Sequence, residues 1–330
     1  MTAITVPGFV PFVGQHCETV ATGSLLNAGG VALSEPMLFG LGEGLGFIFI
    51  NLSSLPLPFV GGRVKPFELT RTLCRNLKLE CAALETTSRA RAWSSLAEPL
   101  GRGQPVGLQL DCFHLEYFSR PVHFAGHFVA AYGFDEEQVF VVDTAPQGSK
   151  QHVSRRALEA ARFAKGPMAA KARSWTIAAS RSPPDLAAAI PKAIRANARA
   201  YLSPAFQGAS YLGIGKLAAS LPRWHEQADT PTEDLALAAL LMERAGTGGA
   251  VFRNFYRDFL HEARAYSPAR AVLDEAHAAF TESARRWTCV AALIDDSART
   301  GHSEPLREAA DHCRHIADIE VAAMKVLSRI

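Results

Sequence analysis

Two patterns of apolar and polar positions share this chain, and the change between them falls near residue 180. Before it, short strand-like runs alternate with amphipathic helical stretches. Val20, Ala21, Ser24 and Leu25 stand three or four places apart from one another and from Cys17, which predicts a helix opening at Cys17 and closing at Gly29-Gly30. Helical spacing returns over 66–79 and 88–100, and short strands are predicted from Cys81 and over 105–110. Residues 127–134 alternate as a strand, Asp135-Glu136-Glu137 makes a turn, and 138–143 runs back, which is a hairpin with a three-residue loop. The stretch 33–47 reads as loop. Its glycines Gly40, Gly42, Gly44 and Gly46 permit positive φ or close approach to a ligand, and equally a tight structural turn. Beyond the linker Arg181-Ser182-Pro183-Pro184-Asp185 the pattern is Ala-rich and helical. Helices are predicted over 185–202, 232–244, 249–265, 268–297 and 304–328, with Ser267 and Ser303 as N-caps. The last helix carries a stripe of Leu306, Ala310, Cys313, Ala317, Val321 and Met324, read as packing within the chain or across a homodimer.

These elements predict an α+β domain over 1–180, with a mixed or antiparallel sheet, followed by an all-α domain over 185–330. Two domains also suit a chain of 330 residues. A net charge of +2, with the arginines scattered, argues against a nucleic-acid partner. The apolar run 45–60 is broken by Asn51, Ser53, Ser54, Pro56 and Pro58, so no membrane span is expected. Residues 1–12 lack the features of a signal peptide, and the six cysteines fit no zinc template, so a reducing cytoplasm and no metal or other cofactor are expected.

The candidate chemistry begins at Cys17. A cysteine in the first turn of a helix faces unpaired N–H groups and the positive end of the dipole, both of which favour thiolate. If Phe134 pairs with Gln138, Val129 faces Asp143, and His127 is the diagonal neighbour of Asp143 on the same face, roughly 7–8 Å away between backbones. A one-residue slip would separate them. Cysteine, histidine and acid then appear in the order of papain-like thiol enzymes, with Cys17 as nucleophile, His127 as base and Asp143 orienting the imidazole. The Cys17 N–H is an oxyanion donor, and Gln15 a second, weaker candidate. His123 is a rival base and Asp111 a candidate supporting residue. Glu18 stands beside the thiol and opposes its ionisation unless it turns to solvent. In the helical half, Gly246 to Gly249 with Arg253, Tyr256 and Arg257 reads either as a contact to a ligand or carrier arm, or as a loop leading into a buried helix.

The stretches HCETVATGSLLNAGGVALSEPMLFGLGEGLGF (16–47), GHFVAAYGFD (126–135) and VFVVDTA (139–145) resemble the N-terminal domain of the butirosin biosynthesis protein H family. Tyr211 to Ile214, Gly246 to Leu260 and the surroundings of Trp287 resemble the helical domain of unknown function that commonly follows it. The resemblance implies a papain-like fold and an acyltransferase that moves an aminoacyl group from a carrier-protein thioester to an amine, as in antibiotic biosynthesis. Carried over by position, Cys17 accepts the acyl group, with His127 as base and Asp143 as acid. Pro11 stands six residues before Cys17, where papain has its oxyanion glutamine. Three readings follow: a thiol acyltransferase taking an acyl thioester and a small amine, an amidase or peptidase with the same residues, and a non-catalytic binding or oligomerisation protein.

Overall fold

A computed structural model describes residues 3–52, 55–180 and 182–330, so Ser53, Ser54 and the linker residue Arg181 lie outside the described residues. Strand β1 (Ile4–Thr5) and helices α1 (Cys17–Ala28) and α2 (Glu35–Leu41) precede a hairpin of β2 (Leu45–Ile50) and β3 (Phe59–Arg63). Next come α3 (Glu68–Asn76), β4 (Cys81–Leu84), α4 (Arg89–Gly101) and β5 (Val106–Leu110). A 3₁₀ turn (Cys112–His114) leads toward β6 (His127–Phe134), β7 (Gln138–Val142), β8 (Lys150–Ser154), α5 (Arg155–Phe163) and β9 (Ser174–Ile177). The rest is helical: α6 (Leu186–Leu202), α7 (Ser210–Ser220), α8 (Trp224–Gln227), α9 (Pro231–Glu243), α10 (Arg253–Ala263), α11 (Arg270–Thr300) and α12 (Glu304–Leu327).

The chain packs as two units, residues 1–38 with 66–185, and residues 39–65 with 186–330. The single division expected near 180–185 therefore omits an excursion: segment 39–65 belongs with the helices. Its apolar side chains account for this, because Phe47, Phe49 and Leu57 are buried in one core with Leu217, Trp224, Trp287 and Ile294.

The first unit is built on a seven-stranded sheet in the order β4-β9-β5-β6-β7-β8, with β1 added on β6. Every pairing is antiparallel. Strand β5 is buried along its whole length, as a central strand covered on both faces must be. Helix α1 lies against β6, and α5 against β5. The β6–β7 hairpin departs from its predicted form and arrives at the same place. Phe134 pairs with Val139, not Gln138, so the turn is one residue longer than expected. A bulge at Tyr132 absorbs the extra residue, and Ala131 pairs with Val141 and Ala130 with Val142. Continuing that register sets Val129 opposite Asp143.

Two other expectations are corrected. The stretch 33–47 holds helix α2, whose Pro36 sits in the first turn, where its missing N–H costs nothing. Ser303 flanks α12 but makes no side-chain cap, and Ser267 bonds the N–H of Ala269 just ahead of α11.

In the second unit, Gly40 leaves room for a ring, since a Cβ there would stand 2.0 Å from the fully buried Phe259. The GTGG segment does not open the predicted helix at 249. Ala250, Val251 and Phe252 take left-handed φ of 51, 52 and 70°, and α10 begins only at Arg253. Arg253 is 0 % exposed. Its Nε and Nη2 donate to Glu320 at 2.8 and 2.9 Å, and Nη1 donates to the carbonyls of Val251, Gly46 and Gly62. Tyr201, Ser283 and Trp287 also donate to Glu320. Arg253 is thus an internal tie, with its donors turned away from any ligand. Arg257 is engaged by Asp258 and Asn254. Gly44 packs under the Phe39 ring, Gly46 lies against the backbone of Arg63 and Val64, and Gly42 is buried. These contacts favour the structural-turn alternative over the ligand-binding one for all three glycines.

Candidate active site

Everything in this site comes from the first unit. Cys17 is the first residue of α1, and the helix carries it up to β6, where His127 is the leading residue. Asp143 follows the last residue of β7 and is 0 % exposed. The Nε2 of His127 lies 2.7 Å from Oδ2 of Asp143. That leaves Nδ1 free of Asp143, and the Cys17 sulfur is close enough to act on the imidazole. The ring of Phe118 meets the imidazole edge-on at 5.5 Å and holds its plane.

Asp143 is more fully engaged than the sequence indicates. Its Oδ1 accepts the N–H of Thr144 at 2.6 Å, and its Oδ2 also accepts the hydroxyl of Tyr117 at 2.6 Å. Burial opposes its charge, but His127, with hydrogen bonds from His127, Tyr117 and Thr144, holds it below the ordinary 3.8. Burial likewise opposes a charge on His127, yet the Asp143 carboxylate and the Cys17 sulfur hold the imidazolium well above the ordinary 6.5. Burial and the Asp143 charge push the Tyr117 phenol up, so it remains a donor.

The pH dependence follows by linkage. The raised His127 contributes stability that is complete below pH 6.5 and lost as pH rises through its folded-state value. The depressed Asp143 contributes above pH 3.8 and loses this as pH falls through its own. Between 3.8 and 6.5 both contributions are present in full. Urea unfolding of Asp143→Asn beside the wild type will therefore show a larger deficit at about pH 5.5 than at about pH 9.5. An equal deficit at both would mean that Asp143 is not charge-coupled to the imidazole.

Tyr117 is the residue the sequence missed. It sits in an irregular stretch with no periodicity, twenty-six positions from its partner. Removing its hydroxyl in Tyr117→Phe will lower turnover by about tenfold, the scale of one hydrogen bond to a charged group (about 1.5 kcal/mol). It will also move the alkaline limb of the pH profile upward, because the Asp143 charge it shared then acts more fully on His127. A merely structural tyrosine would leave that limb in place.

The approach to Cys17 is held by Glu35. Its carboxylate accepts the N–H groups of Gln15 and His16 at 2.8–3.0 Å and the Thr19 hydroxyl at 2.7 Å. Gly14 is required beneath it, since a Cβ there would stand 2.8 Å from that carboxyl. Gln15 itself is exposed. Glu18 turns inward rather than to solvent, accepting from the N–H and hydroxyl of Thr70 at 3.1 and 3.0 Å. Cys112 is buried nearby, and burial pushes its thiol up, which keeps it protonated. His123 and Asp111 do not join His127. They pair with each other at 2.9 Å, which removes His123 as a rival base for Cys17.

A family model described as "Butirosin biosynthesis protein H, N-terminal" matches residues 16–144, and one described as "Domain of unknown function (DUF4872)" matches residues 156–327. Among solved structures, a C39-like peptidase from Bacillus anthracis aligns over 55% of this chain and 100% of its own, with 18% identity and a TM-score of 0.37. No match was found among curated proteins. Among the described residues no helix is long and apolar enough to cross a membrane. The DUF4872 match alone takes in more than half of the chain, and the Cys17, His127 and Asp143 positions all fall inside the other. The chain therefore belongs to the family that carries the helical DUF4872 domain, and the α+β domain ahead of it matches the N-terminal domain of butirosin biosynthesis protein H.

Proposed function

We propose that the protein is a papain-like thiol acyltransferase that passes an acyl group from a thioester to an amine through Cys17. The observation that carries the reading is the His127–Asp143 contact at 2.7 Å through Nε2, which leaves the other ring nitrogen to the thiol of Cys17, the first residue of α1. The Cys17 sulfur attacks the acyl carbon, the C–S bond of the donor breaks, and its thiolate takes a proton from His127. The acyl group then rests on Cys17. An amine attacks that carbon, His127 takes the amine proton, and the Cys17 thiolate leaves. One thioester is exchanged for another at little cost, and the amide is formed downhill. The Cys17 N–H, at a helix start with no acceptor within its own helix, is placed to receive the developing oxyanion. The resemblance to the butirosin biosynthesis protein H family implies a carrier-protein thioester as donor and a small amine as acceptor.

The test is to mix the protein with a set of acyl-pantetheine thioesters and follow the peptide containing Cys17 by mass spectrometry. We expect an added acyl mass that amines discharge faster than buffer does, with an amide as product. Discharge at one rate with or without amines makes the protein a hydrolase. Failure of any donor to label Cys17 removes the thiol-enzyme reading.

A further inference from the structure

We propose that Asp111, His114 and His123 form a binding site for one divalent transition ion of the zinc class, separate from the Cys17 cluster. The ligand atoms of these three side chains all lie within 4.8 Å of one another. Asp111 directly follows β5 and is only 2 % exposed, an expensive place for a carboxylate without strong partners. Its Oδ1 is occupied by the N–H groups of Phe113 at 3.0 Å and Phe124 at 2.9 Å. This fixes the carboxylate so that Oδ2 faces Nδ1 of His123 at 2.9 Å. His114 stands three residues on, in the 3₁₀ turn, with its ring edge-on to that of His123 at 6.0 Å. Phe113 stacks on His123 at 3.9 Å and 14°, which sets the plane of that imidazole.

The donor set selects the ion. Two imidazoles and one carboxylate suit zinc and its neighbours, whereas calcium and magnesium prefer oxygen alone. Tetrahedral bonds of about 2.0–2.2 Å place ligand atoms roughly 3.4 Å apart, within the span observed here. The His123 side chain is 66% exposed and has room to turn into place, and a water would supply the fourth ligand. Sequence spacing concealed the set because D-x₂-H-x₈-H matches no zinc template, and its members meet only when Phe124 folds back onto Asp111.

The ion would tie Asp111 and the 3₁₀ turn to the far end of the loop 115–126. That loop carries Tyr117 and delivers His127 to β6, so its closure would stiffen the placement of both. The role is that of a clip, and no step of acyl transfer passes through the metal.

The experiment uses the full chain, stripped of metal, as Cys17→Ala, so that the thiol cannot act as a ligand. Cobalt is titrated against its visible d–d absorption, and zinc by calorimetry. We expect one ion per chain with a Kd of about 1 µM or tighter. His114→Ala and His123→Ala should each weaken binding by about tenfold or more, while His302→Ala leaves it unchanged. Zinc should also raise the melting temperature of the parent but not of the two variants. His114→Gln and His123→Gln repeat the test should an alanine variant lose its circular dichroism spectrum. Binding weaker than about 100 µM, or binding indifferent to both histidines, overturns the site and leaves the Asp111–His123 pair as a loop clamp only. Binding seen only while Cys17 is present would place the ion at the thiol and likewise overturn it.

Discussion

Cys17→Ala will lower thioester-dependent acyl transfer by about three orders of magnitude or more and abolish the acyl adduct, while leaving the fold intact. The chemical reason is that no neighbouring group can replace the sulfur. Cys112 is buried and protonated, and its S–H donates to the carbonyl of Val122. The fold should tolerate the change because Cys17 is a small side chain at a helix end, 8% exposed, and alanine preserves most of its packing. His127→Ala should cost about 10²–10⁴. It should also slow alkylation of Cys17 by iodoacetamide below neutral pH, where a wild-type imidazolium still accompanies the thiol. If both variants keep full activity in whatever assay the wild type passes, the protein works as a binding module and the helical domain becomes the place to look.

Glu320→Ala is the variant expected to cost most in stability, about 3–5 kcal/mol. The glutamate is 0% exposed and is held below its ordinary pKa against burial, chiefly by Arg253. Its removal leaves the Arg253 guanidinium charged in a dry interior and deprives Tyr201, Ser283 and Trp287 of their acceptor. The penalty belongs to the orphaned charge more than to the lost bond. Arg253→Met combined with Glu320→Leu should therefore recover much of what either single change loses. Urea unfolding of the four proteins forms the cycle. Additive losses would show that the two residues are not coupled and that the buried network is incidental.

How much of this was visible beforehand depends on how local the cause is. The helix behind Cys17 was legible because its apolar spacing and closing glycines lie within one stretch. The His127–Asp143 pairing was legible because a hairpin is a local object, although the longer turn and the Tyr132 bulge are two departures whose cancellation no pattern displays. Helix α2 was hidden by residues that ordinarily mark loops, Pro36 and Gly40, each of which has a private reason to be there. Glu35, Tyr117 and Glu320 were invisible for another reason. A carboxylate or a phenol acquires meaning from its partner, and those partners are 16 to 119 positions away. Arg253 stays between two readings on the same ground, since an arginine beside a glycine-rich turn fits a ligand contact as well as an internal tie until the buried glutamate opposite is seen.

The excursion of residues 39–65 bears on how such a chain can be inherited. The polypeptide crosses between its two units three times, so neither unit is a contiguous stretch of gene. A single recombination near codon 185 would deliver a helical part missing its hairpin, and with it the Gly46 and Gly62 carbonyls that receive Arg253. The other product would carry Phe47 and Phe49 with nothing from the helices to bury them. The two parts are thus bound to travel as one exon-like block, and shuffling either alone requires a double exchange.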